Sequence, residues 1–169
     1  MAKRIITISR EFGSGGRFIG EEVAKKLGIA YYDKEMIGQI AEQAGLSSAY
    51  VRENAELSPK KGWFAYAFSG RDITGKSVED MVYEAQRKVI MEIAEKENCV
   101  IVGRNADFIL KDRKDVLNVF IHGSIPEKVR RICSLYNVTE VDAIKMINDI
   151  DKRRRTNYNF YTEQKWGMA

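Results

Sequence analysis

The chain has 169 residues, 44% of them hydrophobic and 31% charged, with a formal net charge of +4. That balance suits one globular domain with a sizeable core and excludes both a two-domain protein and a low-complexity chain. Two prolines among 13 glycines leave no linker, and the single histidine, His122, excludes a zinc site or a histidine-based triad.

The chain opens through a polar dipeptide into a short strand, without the long apolar segment of a signal peptide or membrane span. A cytoplasmic location without a membrane partner is the expectation. Residues 4–9 read as a β-rich apolar run, followed by the glycine cluster "EFGSGGRF", Glu11 to Phe18. A helix follows, with Ile19, Val23, Ala24 and Leu27 at helical spacing on one face and Gly28 as its stop. "IAYYDKEMI" gives a second strand ending near Asp33, a residue suited to capping the next helix.

From Lys34 to about Ala55 the pattern is helical, broken at "GLSS", where Ser47 or Ser48 caps a second helix. Leu57 to Gly75, with "GWFAYAFSG", reads as an excursion from the central sheet whose aromatics either close over the core or stack on bases. Residues 77–97 form a long amphipathic helix, capped by Ser77 with Asp80 as its box partner. "CVIVG" and "VLNVFIHG", ending at Gly123, read as buried strands, with Cys99 a reduced buried thiol. A helix starts near Ser124 and Pro126, and a last one runs from about Val138 through the basic cluster Lys152 to Arg155.

Strands alternating with helices predict a three-layer α/β domain, a parallel sheet with helices on both faces. Ligands of such sheets bind beyond the carboxyl ends of the strands, where residues 10–17, Asp33 and Gly103-Arg104 gather. Gly13, Ser14, Gly15 and Gly16 suit a phosphate cradle, in which glycines let backbone N–H groups point inward at a helix N-terminus. The signature G-x-x-x-x-G-K-[ST] is not matched: Ser9 or Arg10 stands near the first glycine, and no lysine follows the last.

"REFGSGGRF" and "AKKLGI" resemble, without a gap, the G-x-P-G-S-G-K-G-T and A-K-K-x-G-I segments of adenylate kinases; Gly16 then stands in the lysine's place and Arg17 one residue on. "ITISREFGSGGRFIGEEVAKKLGIAYYDKEMI", "VIVGRNADFILKDR", "VLNVFIHG" and "DKRRRTNYNFYTEQKWG" together resemble the cytidylate kinase-like family of P-loop proteins over nearly the whole chain, residues 57–76 excepted. That resemblance implies the P-loop NTPase fold in a single domain over residues 1–169. It would carry a monophosphate-binding excursion at about 34–76 and a lid-like basic segment at about 128–158.

The resemblance further implies a phosphotransferase using ATP and Mg2+ on small nucleotide substrates, CMP or dCMP favoured. Gly13 to Phe18 would hold the triphosphate, and Arg17 would supply the missing lysine's charge. Asp33 and Arg104 would hold the acceptor, Asp151 the pyrimidine, and Arg131 and Arg154 the transferring phosphoryl. Asn105 stands where these kinases have an aspartate, leaving Glu11, Asp33 or Asp107 as metal ligands, with the true set unknown. Family members commonly continue past "KWG" into another strand, so an exposed sheet edge and pairing of subunits is a further expectation. A regulatory nucleotide-binding module without turnover is the alternative. Nucleic-acid binding through the basic run and the aromatics is disfavoured, because that run lies inside a lid-like pattern.

Overall fold

The computed structural model of the protein describes residues 4–34, 36–54, 57 and 77–168. The aromatic excursion expected from Leu57 to Gly75 lies outside the described residues, apart from Leu57 itself. The first elements are β1 (Ile5–Arg10), α1 (Gly16–Leu27), β2 (Ala30–Tyr32), α2 (Met36–Ala44) and α3 (Ser48–Asn54). They are followed by α4 (Val78–Lys96), β3 (Cys99–Val102), the short α5 (Ala106–Ile109), β4 (Val116–Ile121), α6 (Ile125–Tyr136) and α7 (Glu140–Thr162).

Among the described residues the four strands are all parallel in the order β2-β3-β1-β4, with Ile5 opposite Cys99 on one side and Val116 on the other. Successive residues of a strand face opposite sides. Ile5, Cys99 and Ile101 accordingly pack against Met36 and Ile40 of α2 and Val89 and Ile90 of α4, while Ile8, Val100 and Val102 pack against Ala24 of α1. Helices thus cover both faces, as the alternation of elements requires. A third cluster joins Val129 and Ile132 of α6 to Ala143 and Ile147 of α7, with Phe12 against it.

The inward face of α1 differs from the expectation. Gly16, Gly20 and Ala24 are buried, whereas Ile19 and Leu27 are exposed. A Cβ on Gly20 would lie 3.1 Å from Ile8 Cδ1 and 3.2 Å from Val102 Cγ2, so α1 rests too close to the sheet for larger residues. Close packing has overridden hydrophobic periodicity there.

The cap of α4 is the expected box: Asp80 N–H donates to Ser77 Oγ over 3.1 Å, and Ser77 N–H to Asp80 Oδ2 over 3.3 Å. Ser124 precedes α6 and Pro126 lies in its first turn, but the Ser124 hydroxyl turns to Glu127 Oε2 at 3.1 Å instead of capping. Cys99 is a fully buried free thiol that burial pushes up to about 12, which fits an inert core cysteine. Among the described residues β4 is an outer strand of the sheet, and no helix is long and apolar enough to cross a membrane.

Candidate functional site

Strand β1 delivers Arg10 at the middle of the sheet, and the chain then turns through Gly13 and Gly15 with φ of 80° and 87°. Left-handed backbone of this kind favours glycine. The Ser14 hydroxyl and N–H both donate to the Glu11 carbonyl, over 2.8 Å and 3.3 Å, and draw the turn tight. Helix α1 starts at Gly16 without a side-chain cap, so its first-turn N–H groups and positive dipole end remain available for an anion.

A buried ion cluster supports the loop. Lys128 of α6 is 2% exposed, and its Nζ lies 2.9 Å from Asp151 Oδ2 and 3.1 Å from Glu11 Oε2. Asp151 Oδ1 accepts from Phe12 N–H over 2.6 Å, and Glu11 Oε2 from Gly123 N–H over 3.2 Å. Burial pushes the Glu11 carboxyl up, but the Gly123 N–H and the Lys128 ammonium outweigh it and leave the group below its ordinary range. The loop, α6 and α7 are thus tied at one point.

Cations gather above and beside this support. Arg131 Nη1 donates to the Gly13 carbonyl over 2.5 Å, with its guanidinium carbon 3.2 Å from where a Gly15 Cβ would lie. Arg154 Nη1 donates to the Arg10 carbonyl over 3.3 Å. Arg17 Nε donates to Asp33 Oδ2 over 2.6 Å, and its Nη2 pairs with the same oxygen. The Tyr31 hydroxyl donates to the Arg17 carbonyl over 3.2 Å, and burial, seconded by the Asp33 charge, pushes that phenol up to about 12.

After β3, Gly103, Arg104 and Asn105 follow one another in left-handed backbone, at φ of 71°, 59° and 55°. Such geometry is costly for an arginine and is held only where its surroundings enforce it. Gln86, inside α4, enforces it by donating from Nε2 to the Arg104 carbonyl over 2.7 Å. Asn105 Nδ2 donates to Asn157 Oδ1 over 3.3 Å. The bend sets Arg104, 6% exposed, in a small pocket with Arg10, Arg154, Tyr158 and Trp166.

A larger cleft of about 520 Å³ opens beside it, lined by Gly13, Gly15 and Gly16, by Arg10, Arg17 and Phe18, and by Asp33, Arg131 and Arg154. That volume is in the range of small-molecule sites. The expected residues Gly13, Gly15, Gly16, Arg17, Phe18, Asp33, Arg131 and Arg154 therefore share one cleft, and Arg104 adjoins it. Ser14 is buried within the turn.

Two expected residues are held by neighbouring groups. Both carboxylate oxygens of Asp151 are engaged beneath the loop, with Phe12 and Lys128. Arg17 directs its guanidinium to Asp33, which lines the same cleft. Arg10 and Gln86 were not among the expected site residues, and only Arg10 had a signal in the sequence, its position near the first glycine of the loop; Lys128, at the start of the expected lid-like segment, is buried with Glu11 and Asp151.

Among the described residues no three His, Cys, Asp or Glu side chains gather as metal ligands. Magnesium at a phosphate loop needs only one or two protein carboxylates, with phosphate oxygens and water completing its shell. Glu11 and Asp33 are the carboxylates of the cleft suited to that, together with Glu21 at its rim. Asp107 lies elsewhere, accepting from the Tyr158 hydroxyl over 2.7 Å, with burial pushing its carboxyl up.

The signature of the cytidylate kinase-like family matches residues 5–169. No curated protein matches the chain. Among solved structures, an uncharacterized protein from Eubacterium ventriosum is 30% identical with a TM-score of 0.72, over 97% of this chain and 81% of that one. A shikimate kinase from Bacteroides thetaiotaomicron is 21% identical with a TM-score of 0.51, over 94% of this chain and 82% of that one. A gluconokinase from Sinorhizobium meliloti is 13% identical, also at 0.51, over 89% and 76%. The last two share with this chain the P-loop kinase fold. The glycine turn after β1, the parallel sheet that carries it and a signature match from the first strand to the last residue agree, and the chain belongs to the cytidylate kinase-like family.

Proposed function

We propose that the protein is an ATP-dependent phosphotransferase that moves the γ-phosphoryl group to a small phosphorylated acceptor, with CMP or dCMP favoured by the family. The observation that carries this reading is the meeting of Arg10, Arg104 and Arg154, from three separate elements, beside an uncapped glycine turn. Phosphoryl transfer asks little covalent chemistry of a protein. It asks for positioning and for neutralisation of several phosphate oxygens in a closed cleft, which arginines and magnesium supply.

In this reading Gly13, Ser14, Gly15, Gly16 and Phe18 hold the ATP triphosphate, and Arg131 and Arg154 face the transferring group. Asp33, Arg17 and Arg104 hold the acceptor, and Asp151 supports the loop that aligns them. Glu11 or Asp33 would hold Mg2+, whose contribution is neutralising and orienting the phosphate oxygens.

The test is ADP release from Mg-ATP over CMP, dCMP, UMP, AMP and GMP, with shikimate and gluconate as non-nucleotide acceptors. Turnover with one monophosphate, abolished by Arg104→Ala, is the expected result. A second reading, a nucleotide-binding regulatory module, is favoured by Asn105 at the position of the family's aspartate and by the lysine-free loop. It predicts ATP binding with no ADP release for any acceptor.

A further inference from the structure

Two positions of the glycine loop have exchanged their side chains. Aligned without a gap on G-x-P-G-S-G-K-G-T, the chain has Arg10 on the first glycine and Gly16 on the lysine. The two residues meet in space: a Cβ on Gly16 would lie 2.6 Å from Arg10 Cβ and 2.9 Å from its Cγ. The obstacle is the rooted part of the arginine stem, which cannot swing aside as a mobile tip would. With this backbone, arginine at 10 and any side chain at 16 exclude each other.

Arg10 is also in the right place. It ends the central strand, is 5% exposed, and lines both the cleft under the glycine turn and the pocket that holds Arg104 and Arg154. Its main chain is fixed by the bond from Arg154 to its carbonyl. Arg17, the other cation near the lysine's place in the sequence, has a side chain 43% exposed and turned to Asp33.

We infer that Arg10 carries the role of the missing loop lysine, meeting the β- and γ-phosphates of a nucleoside triphosphate from the strand end instead of from the helix start. This rests on the phosphotransferase reading for the nature of the ligand alone. An arginine fork contacts two phosphate oxygens from a longer reach than an ammonium, which suits a cation set back at position 10.

The experiment is calorimetric titration of the full chain with Mg-ATP and with inorganic tripolyphosphate. Arg10→Met keeps the stem packed on Gly16 and removes the charged fork. Affinity for both probes is expected to fall about 10- to 100-fold, while Arg17→Ala changes it less than about threefold. The exchanged variant Arg10→Gly with Gly16→Lys returns the glycine and the lysine to their ordinary places in the loop, and should bind both probes at least about tenfold more tightly than Arg10→Gly alone. It reads the same role should Arg10→Met fail to fold.

Binding by Arg10→Met within about twofold of the unaltered chain, or an exchanged variant no better than Arg10→Gly, overturns the inference. A collapse in Arg17→Ala instead returns the charge to Arg17. Unaltered protein that binds tripolyphosphate through Arg10 but releases no ADP would overturn the kinase reading and keep this one. Unaltered protein that binds neither probe overturns this inference, whatever the acceptor screen shows.

Discussion

The side-chain amide of Gln86 donates to the main-chain carbonyl of Arg104 over 2.7 Å, from a residue only 1% exposed. That bond reaches from the middle of α4 to the left-handed bend after β3, where an arginine backbone is strained by about 1–2 kcal/mol. Gln86→Leu keeps the volume and leaves the buried carbonyl without its donor. It should cost about 1–3 kcal/mol of stability, read as a urea midpoint shift. If Gln86 positions Arg104, the acceptor KM in the ADP-release assay rises as well. Lost stability with unchanged kinetics would make the glutamine purely structural.

Lys128 is a second residue whose removal should be felt far beyond its own helix. Its ammonium lies between Glu11 and Asp151, so Lys128→Met leaves these two carboxylates without their near cation, with Arg154 3.9 Å from Asp151 and His122 3.6 Å from Glu11. Removing one partner of a buried ion cluster costs about 3–5 kcal/mol. Adding Asp151→Asn removes one of the stranded charges while an amide oxygen remains to accept from Phe12. The double variant should therefore recover part of the loss, and equilibrium denaturation of all four proteins checks the coupling.

The same cluster sets a pH dependence. Glu11 ionises below its ordinary value of 4.5 in the folded protein, so the folded state holds fewer protons than the unfolded one in that window. Its stabilising contribution is complete above 4.5 and is lost as pH falls through the lower folded value. Asp107 runs the other way: burial raises it, so its cost is absent below its ordinary 3.8 and grows as pH rises through the folded value. Thermal melts between about pH 3 and pH 7 should show a shallower acid loss in Glu11→Gln. In Asp107→Asn the relative gain should be absent below 3.8 and grow as pH rises above it.

Much of the fold is written openly in the chain. A strand buried on both faces is an unbroken apolar run, as at Cys99–Val102, and the four described strands lie within two residues of their sequence reading, although β4, read as buried, is an outer strand with Leu117 46% exposed. The inward face of α1 was not legible, because periodicity rewards Ile19 and Leu27 whereas contact with Ile8 and Val102 selects Gly20. In the site, the glycine turn and Arg104 carry local signals, a turn composition and a strand end. Gln86 carries none, and Lys128 carries only its place in a basic, lid-like segment. A lysine in a basic helix reads as solvated until Glu11, 117 residues away in the chain, is seen to meet it.

Arg17 and Asp33 offer the sharpest division of labour across the cleft. Their ion pair links the start of α1 to the end of β2, with Asp33 almost fully buried and Arg17 partly exposed. Arg17→Ala leaves that buried carboxylate without the arginine and, under the proposed function, loosens the acceptor side, while the turn at Gly13 and Gly15 is left intact. The acceptor KM should rise about tenfold, with the KM for ATP changed less than about threefold. Asp33→Asn should move the acceptor KM in the same direction, because an amide holds the arginine by a weaker, uncharged bond. Steady-state kinetics with the two substrates varied separately decide the matter. A rise confined to the KM for ATP would place Arg17 on the triphosphate, and with it the charge that the loop lysine supplies in other kinases of this fold.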